Sequence, residues 1–279
     1  MDETTSYNNI DDVVNFFDKN KYIIIFILLS LILFIISKNK NNNKNNYLKD
    51  GMNNKIPRVI YQTYINKNIP NVVKERWMKL NPDFKYYLYD NDDCSKFLLE
   101  EYGKDYSDLF NKIKDGPIKS DFWRLCILYK YGGIYADIDI IPHVPINEIV
   151  YSDTTLYTCV TAKTLGNNLN PHFIAVEARN PLILKCINVY MNTKRYEKYS
   201  YSTYSITYIM RDVMREYFNI YEFHEGIYKK NDQIVQFSIE ICPEKGPHAA
   251  RRAHIEQNDK TIMENRDNEL YDMDKHKFK

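Results

Sequence analysis

The sequence contains no cysteine arrangement that predicts a disulfide framework or a zinc site. Its five cysteines are odd in number, scattered, and without C-x-x-C spacing. They are Cys94, Cys126, Cys159, Cys186 and Cys242. Zinc sites and small disulfide-rich domains depend on closely spaced cysteines. We therefore expect at least one unpaired thiol and interpret most of these residues as small core side chains.

The sequence also lacks an excess of charge of either sign. Lys and Arg total 38, Asp and Glu total 37, and the net charge is +1 over 279 residues. Domains that bind nucleic acid through its phosphates present an excess of basic residues, so no nucleic-acid partner is expected. The length is sufficient for one catalytic domain with a sizeable core.

One long apolar run stands out near the N-terminus. Residues 22–37 contain only two polar positions, Ser30 and Ser37. As a helix this segment is about 24 Å long, somewhat short against a hydrocarbon core of about 30 Å. Lys21 and Lys38 can extend toward the two interfaces. Because a polar Asn/Lys stretch and no small-residue cleavage site follows, we predict a single transmembrane helix.

The predicted organisation has four parts. An acidic tail at 1–21 precedes the membrane anchor at 22–37. An Asn/Lys-rich linker at 38–54 is too polar to pack, and a catalytic domain occupies 55–279.

Strands and helices alternate along most of that domain, which predicts an α/β fold with a mainly parallel sheet. The predicted strands are Arg58–Tyr64, Lys85–Tyr89, Ile134–Ala136, Leu156–Thr161 and Phe173–Val176. The predicted helices are Asn71–Leu80, Asp92–Tyr102, Ser107–Lys114, Ile118–Tyr131, Pro181–Met191 and Ser205–Phe218. From about Ala249 the sequence is highly charged and predicts a surface helix.

The chemistry is concentrated between Lys119 and Asp139, KSDFWRLCILYKYGGIYADID. Asp121 and Arg124 are three residues apart on a predicted helix and therefore share one face. Asp137 and Asp139 follow a short apolar strand, where ligands bind in open α/β sheets. Hard divalent cations prefer such oxygen ligands. The segment therefore suits a nucleotide diphosphate bound through a metal.

The rest of this helix and its end support that interpretation. The apolar stripe opposite Asp121 consists of Phe122, Leu125, Cys126 and Tyr129, which can pack on a sheet. Gly132 and Gly133 then stop the helix, where a left-handed residue is favoured.

The combined pattern resembles the D-x-D sugar-binding region of family 32 glycosyltransferases, which include the inositolphosphoceramide mannosyltransferases. The residues that carry the resemblance are Ser120, Asp121, Arg124, Tyr131, Gly132, Gly133, Tyr135, Asp137 and Asp139. The segments 56–64 and 167–181 extend it. The same pattern is found in the catalytic domains of large clostridial glucosylating toxins.

The resemblance implies a GT-A-type fold, with a Rossmann-like nucleotide-binding sheet. It implies transfer of a hexose of the mannose, glucose, galactose or GlcNAc type from a UDP- or GDP-sugar. The acceptor is a hydroxyl on a glycan, lipid or protein, and Mn²⁺ or Mg²⁺ is the metal. Retention of configuration is implied as well, and same-face displacement is the default because no residue must be a covalent nucleophile.

The resemblance also assigns roles around the motif. Asp139 binds the metal directly, and Asp137 contacts the metal and the ribose or sugar. Arg124 pairs with the diphosphate or stabilises developing charge, for which its planar donor fork is suited. Asp121 accepts hydrogen bonds from sugar hydroxyls.

Further donor contacts are predicted on the first strand and around the motif. Tyr61, Gln62 and Thr63 end the first strand, and an ordinary core-strand role for them is equally compatible with the sequence. Tyr135 can stack on the donor, and Asn168 corresponds to a family asparagine near the donor sugar, with Asn167 as the other possible register.

The third metal ligand and the acceptor side each leave alternatives open. His254 is the candidate third ligand, with His248 as the alternative and a surface role open for both. A late Thr-Gly-Pro motif of the family is replaced by residues 202–205, STYS. A catalytically inactive sugar-nucleotide-binding membrane protein is therefore an alternative.

A haloacid-dehalogenase-type phosphotransferase also uses D-x-D after a strand and is a further alternative. It usually has Thr or Val two residues after the second aspartate, where this chain has Ile141. It also needs a later acidic pair, for which the sequence has no convincing candidate.

The indicators of membrane topology disagree. Family habit places the catalytic domain in the Golgi or ER lumen. Two lysines precede the apolar run and four follow it within the linker, which favours a cytoplasmic domain. The scattered cysteines and the absence of any Asn-x-Ser/Thr sequon point the same way.

Overall fold

The computed structural model describes residues 21–22, 28–32, 55–162, 166–192, 205–242, 253–264, 270–272 and 277–278. The chain divides into two compact units, Met1–Lys49 and Asp50–Lys279. Among the described residues, no helix combines the length and the apolar character needed to cross a membrane. Nearly all of the predicted tail and linker, and most of the predicted anchor at 22–37, lie outside the described residues.

The elements of the second unit alternate as predicted in its first half. The helices are α1 (Asn71–Leu80), α2 (Asn91–Tyr102), α3 (Lys104–Lys112), α4 (Gly116–Tyr131), α5 (Ile146–Ile149), α6 (Pro181–Asn192) and α7 (Ile206–Phe218). The strands are β1 (Val59–Thr63), β2 (Lys85–Tyr89), β3 (Gly133–Ala136), β4 (Ile141–Pro142), β5 (Leu156–Val160), β6 (Leu169–Val176), β7 (Gly226–Lys230), β8 (Gln233–Ile241), β9 (His254–Gln257), β10 (Lys260–Glu264), β11 (Tyr271–Asp272) and β12 (Lys277–Phe278). Each predicted strand and helix before Ala249 is present, with ends shifted by four residues at most.

The main sheet is mixed, and the prediction of a mainly parallel sheet is wrong. Its strand order is β2-β1-β3-β6-β5-β8-β9-β10-β4, and β7 pairs with β8. Among the described strands, the parallel pairs are β1–β2, β1–β3 and β5–β8, and the other pairs are antiparallel. The antiparallel pairs arise because β6 lies between β3 and β5 and runs opposite to both. In addition, each of the strands β7, β8 and β9 pairs antiparallel with the next strand along the chain.

The sheet curls back on itself, and its connectivity requires this. Strands β3 and β4 are third and ninth in the order, six strand intervals apart. In a flat sheet six intervals span roughly 29 Å. Only residues 137–140 join the two strands, and a chain of that length reaches about 18 Å. The link therefore crosses the open end of the curl, and it carries the D-x-D motif.

Apolar side chains cover both faces of the sheet. One layer packs α2, α3, α4, α6 and α7 against side chains such as Tyr61, Tyr135 and Ile174. The other packs α1 and α5 against side chains such as Ile60 and Phe173. Helix α4 is buried on every side from Asp121 to Leu128, so its predicted division into one polar and one apolar face understates its burial.

The prediction of a charged surface helix after Ala249 is also wrong. Residues His254–Gln257 and Lys260–Glu264 form the antiparallel pair β9–β10. Ile255 and Gln257 are buried while His254 and Glu256 are partly exposed, which is the two-residue period of a strand. Asn258 and Asp259 both have positive φ, 56° and 61°, as a tight hairpin turn requires.

Candidate active site

The D-x-D turn is held by hydrogen bonds to its backbone. The Asp137 N–H donates to the His172 carbonyl at 2.7 Å, and the Asp137 carbonyl accepts from Ile140 N–H at 3.3 Å. Gln62 Nε2 donates to the same carbonyl at 3.0 Å. The Asp137 side chain is 30% exposed, and Asp139 is partly exposed. Two carboxylates are therefore presented at the carboxyl end of β3 on a fixed backbone.

Helix α4 delivers Arg124 to this turn. The Asp115 side chain caps the helix by accepting from Ile118 N–H at 3.1 Å. Arg124 is 4% exposed, and its guanidinium lies 4.1 Å from the centre of the Tyr135 ring. Its Nη1 donates to the Pro171 carbonyl at 2.9 Å.

Arg124 Nη2 also joins two carboxylates. It lies 3.0 Å from Asp137 Oδ1 and 3.1 Å from Asp121 Oδ1. Burial lowers the pKa of Arg124, but Asp137 and its other neighbours outweigh burial and raise that pKa overall. The guanidinium is therefore charged, and in this structure it binds protein groups and is not exposed at the surface. It orients Asp137 directly.

Asp121 lies below the surface, between α4 and the start of α7. It is 5% exposed, and its Oδ2 accepts from the Ile206 N–H at 3.1 Å. Burial raises the pKa of Asp121 to about 7, against the opposing effects of Arg124 and the Ile206 hydrogen bond. A sugar hydroxyl therefore reaches this carboxylate only if one of those partners yields.

The predicted donor contacts on β1 and β3 are mostly structural in their position. Gln62 is fully buried and receives a 2.6 Å hydrogen bond from the Tyr86 hydroxyl. The hydroxyls of Thr63 and Tyr135 are 3.1 Å apart. Tyr61 is 5% and Tyr135 is 1% exposed. Tyr61, Gln62 and Tyr135 are thus buried as a core-strand role requires, and Thr63 is the residue of the set nearest the surface. Their contacts to the donor stay a prediction.

The two predicted asparagines have different surroundings. Asn167 exchanges two 2.8 Å hydrogen bonds with the backbone of Phe223, so its amide fixes a loop. Asn168 Oδ1 accepts from Arg211 Nη1 at 3.1 Å. Both residues precede β6, at the same end of the sheet as Asp137, because β6 runs antiparallel to β3.

The predicted metal site of Asp137, Asp139 and His254 is not assembled. In the part of the chain that the structure describes, no group of three or more His, Cys, Asp or Glu residues is arranged to hold a metal ion. His254 lies on β9 with its Nε2 2.9 Å from Glu256 Oε1. The alternative, His248, lies outside the described residues, as do three of the four residues replacing the late family motif.

Several residues that complete the site were missed by the sequence analysis. Pro171 and His172 contribute backbone carbonyls, and Ile206 contributes a backbone N–H. Backbone groups have no residue-type signal, so only their positions in the fold identify them. Tyr86 was placed in a strand, but its hydrogen bond to Gln62 had no sequence signal either.

Comparison with known proteins assigns this region. Residues 70–156 match the family described as the glycosyltransferase sugar-binding region containing a DXD motif. That range contains α4, β3 and both aspartates, so the predicted family is confirmed.

Individual relatives agree with that match. The chain is 29% identical over 152 residues to a mannosyl phosphorylinositol ceramide synthase of Saccharomyces cerevisiae, covering 53% of this chain and 37% of the relative. It is 36% identical over 91 residues to an uncharacterized glycosyltransferase of Acanthamoeba polyphaga mimivirus, covering 31% and 36%. The chain thus spans little more than a third of these relatives.

A solved structure is also similar. The PaToxG glycosyltransferase matches with a TM-score of 0.48 and 17% identity, over 65% of this chain and 77% of that one. The α/β class is confirmed by the sheet itself.

Proposed function

Because this chain carries a glycosyltransferase sugar-binding region with a DXD motif, we propose that it transfers a hexose from a nucleoside-diphosphate sugar to a hydroxyl acceptor. The observation that carries the proposal is the pair Asp137 and Asp139, presented on a fixed turn beside a buried arginine. We assign the domain to the GT-A type on the same basis.

A divalent cation fits the donor set. Asp137 and Asp139 offer carboxylate oxygens on a partly exposed turn, and Mg²⁺ and Mn²⁺ take such ligands together with substrate phosphates. The predicted third ligand, His254, is not required by this chemistry. When bound, the cation supplies Lewis-acid stabilisation of the leaving diphosphate.

The chain's own residues orient the reacting groups. Arg124 fixes the Asp137 carboxylate and places a buried positive charge beside it, in surroundings where charge interactions are stronger than in water. The Thr63 hydroxyl lies 3.2 Å from that of Ser120 and 3.1 Å from that of Tyr135, on the strand that leads into this turn. Transfer then breaks the bond between the anomeric carbon and the diphosphate and forms the bond to the acceptor oxygen. The leaving diphosphate oxygen keeps the bonding electron pair and takes up the proton of the acceptor hydroxyl. Retention is part of the proposal.

We propose mannose as the first sugar to test and a lipid or glycan as the acceptor class. The support is the name of the yeast relative, a mannosyl phosphorylinositol ceramide synthase. Membrane attachment through residues 22–37 is part of the same proposal, because a lipid acceptor lies in the bilayer.

Thermal unfolding of the full-length protein in detergent tests donor binding. We expect GDP-mannose or a UDP-hexose to raise the melting temperature in the presence of Mn²⁺, because a ligand that binds only the native state stabilises it. The control is Asp139→Asn, which should unfold like the wild type without ligand and lose both the shift and about a thousandfold in transfer rate. Unchanged transfer by this variant in chelator-treated buffer would refute the metal assignment.

Turnover separates a transferase from an inactive binding protein. Product formation, including slow hydrolysis of the donor, supports the enzyme. A donor-induced shift without any turnover supports the inactive sugar-nucleotide-binding alternative.

A further inference from the structure

A buried carboxylate lies outside the family region. Glu240 is on β8 and is 3% exposed, and its Cα pairs with that of Ile255 on β9. Apolar side chains are the usual occupants of such a position, because burying a carboxylate is costly unless it is hydrogen-bonded. Glu240 Oε1 accepts from Asn170 Nδ2 at 3.3 Å. Because burying the Glu240 carboxylate is costly, its hydrogen bond to Asn170 indicates that the two residues have a geometric role.

Asn170 transmits that contact to the adjacent backbone. Its Oδ1 accepts from the His172 N–H at 3.3 Å, and its own carbonyl accepts from Thr158 Oγ1 at 3.2 Å. The pairing of β5 with β6 is irregular here, because the register shifts between Tyr157 and Cys159. The regular backbone hydrogen bonds between strands are interrupted at such a point. The contacts of Asn170 and Thr158 therefore hold the backbone of β6 in place here.

The segment 170–172 is the part of β6 that touches the candidate active site. The Pro171 carbonyl accepts from Arg124 Nη1 at 2.9 Å. The His172 carbonyl accepts from the Asp137 N–H at 2.7 Å. Three consecutive residues therefore connect Glu240 on one side with Arg124 and Asp137 on the other.

We propose that Glu240 and Asn170 are a positioning pair that sets the segment 170–172 and, through its two carbonyls, the placement of Arg124 and Asp137. The proposal deepens the proposed function, on which its kinetic part rests. Neither residue is among the predicted donor contacts. Partners that orient the ligands of a metal or a substrate typically contribute 10-fold to 100-fold to affinity or activity.

The first test does not depend on transferase activity. In Glu240→Ala we expect faster hydrogen exchange in the peptide containing Asp137, measured by mass spectrometry on the full-length protein, because the His172 carbonyl loses its support. The matched control is Ser238→Ala, which is buried on the same strand and on the same face. Equal exchange of that peptide in the two variants overturns the proposal.

The second test is kinetic. We expect Glu240→Ala to lower kcat/KM for the donor about tenfold or more, and Ser238→Ala to leave it within about threefold. Glu240→Gln keeps an oxygen acceptor for Asn170 and should restore most of the activity. If Glu240→Gln is as impaired as Glu240→Ala, the hydrogen bond is not the cause and the proposal fails.

Asn170→Ala removes the same hydrogen bond from its other side, so it tests the proposal if Glu240→Ala proves unstable. Because the pair acts as a unit, the double variant of Glu240 and Asn170 should be no more impaired than the more impaired of the two single variants. Additive losses overturn the proposal. If the wild type transfers no sugar but exchange in Glu240→Ala still rises around Asp137, the proposed function fails and the positioning role stands.

Discussion

Arg124 is the residue that links the most groups of the candidate site. It contacts the carbonyl of Pro171 and the carboxylates of Asp121 and Asp137, and it lies over the Tyr135 ring. A lysine offers one nitrogen in place of this planar fork. Its contribution therefore comes from shape as much as from charge.

Arg124→Lys should lose activity per folded molecule by about a hundredfold or more, because Asp137 loses its fixed orientation. Phe122→Ala is the comparison on the same helix. Phe122 is fully buried against Tyr106 and Tyr190, so we expect a loss of about 3 to 5 kcal/mol in stability. Denaturant unfolding and transfer assays separate the two effects. The prediction is wrong if Arg124→Lys stays active while Phe122→Ala is stable but inactive, because Phe122 and not Arg124 would then serve the reaction.

Asp121 should make transfer depend on pH. Since burial raises its pKa to about 7, the carboxylate becomes protonated as the pH falls below 7 and its ion pair with Arg124 weakens. We expect the transfer rate to rise with pH and level off above about pH 8. The free energy of unfolding depends on pH with the opposite sign. Because the raised pKa makes ionisation of Asp121 costly in the folded state, the folded state binds the proton more tightly than the unfolded state does. The stabilisation from this protonation is present below about pH 4 and is lost as the pH rises through 7.

Asp121→Asn is the control for the pH effect. The variant cannot ionise at this position but keeps an oxygen acceptor for the Ile206 N–H. A pH–rate profile with the same acidic limb in Asp121→Asn would assign the titration to another group.

At the scale of elements, the junction of α4 and β3 allows little variation. Gly132 and Gly133 have φ values of 66° and 104°. A Cβ on Gly133 would lie 2.5 Å from Val59 Cγ1 and 3.0 Å from the Val59 carbonyl. The helix must end and the strand must begin within two residues for Asp121, Arg124 and Asp137 to converge.

We expect Gly133→Ala to lower the free energy of unfolding by about 2 to 5 kcal/mol, from backbone strain and overpacking together. Gly116→Ala is the matched control, because Gly116 is helical and an added Cβ would meet no atom within 4 Å apart from its chain neighbours and the backbone of its own helix. Urea unfolding of both variants measures the difference. Equal stabilities would mean that the junction tolerates a side chain.

The elements differ in how far the sequence predicted them. Helix α1 is predicted at its observed ends, and α2 begins one residue before its predicted start, with a capping box between Asp90 and Asp93. Strands β9 and β10 were predicted as a helix because their charge concealed a two-residue burial period. Strand β4 is only two residues long, and a pairing that short leaves no periodic pattern.

At the scale of the whole molecule, the curl of the sheet determines which residues meet. It brings the D-x-D link and β10 together, with Pro142 paired to Met263. It also places segment 170–172 between β8 and the turn. These neighbours are separated by tens of residues or more in the sequence.

Membrane topology is a prediction about the whole chain. The excess of lysines after the apolar run favours a cytoplasmic domain, so we expect protease to digest residues 55–279 in intact microsomes without detergent. A marker protein of the microsomal lumen is the control for intact membranes. If the domain survives until detergent is added, it is lumenal and the charge argument fails.

The sequence by itself determined the family, the D-x-D turn and most of the first-half elements, because these depend on local spacing and on residue types with a specific chemistry. The tertiary structure decided the rest. It placed Arg124 and Tyr135 in the interior, left His254 paired with Glu256, and made Pro171 and His172 neighbours of the site. Strand order and burial arise from long-range packing, and backbone carbonyls carry no residue-type signal, so no local pattern encodes them.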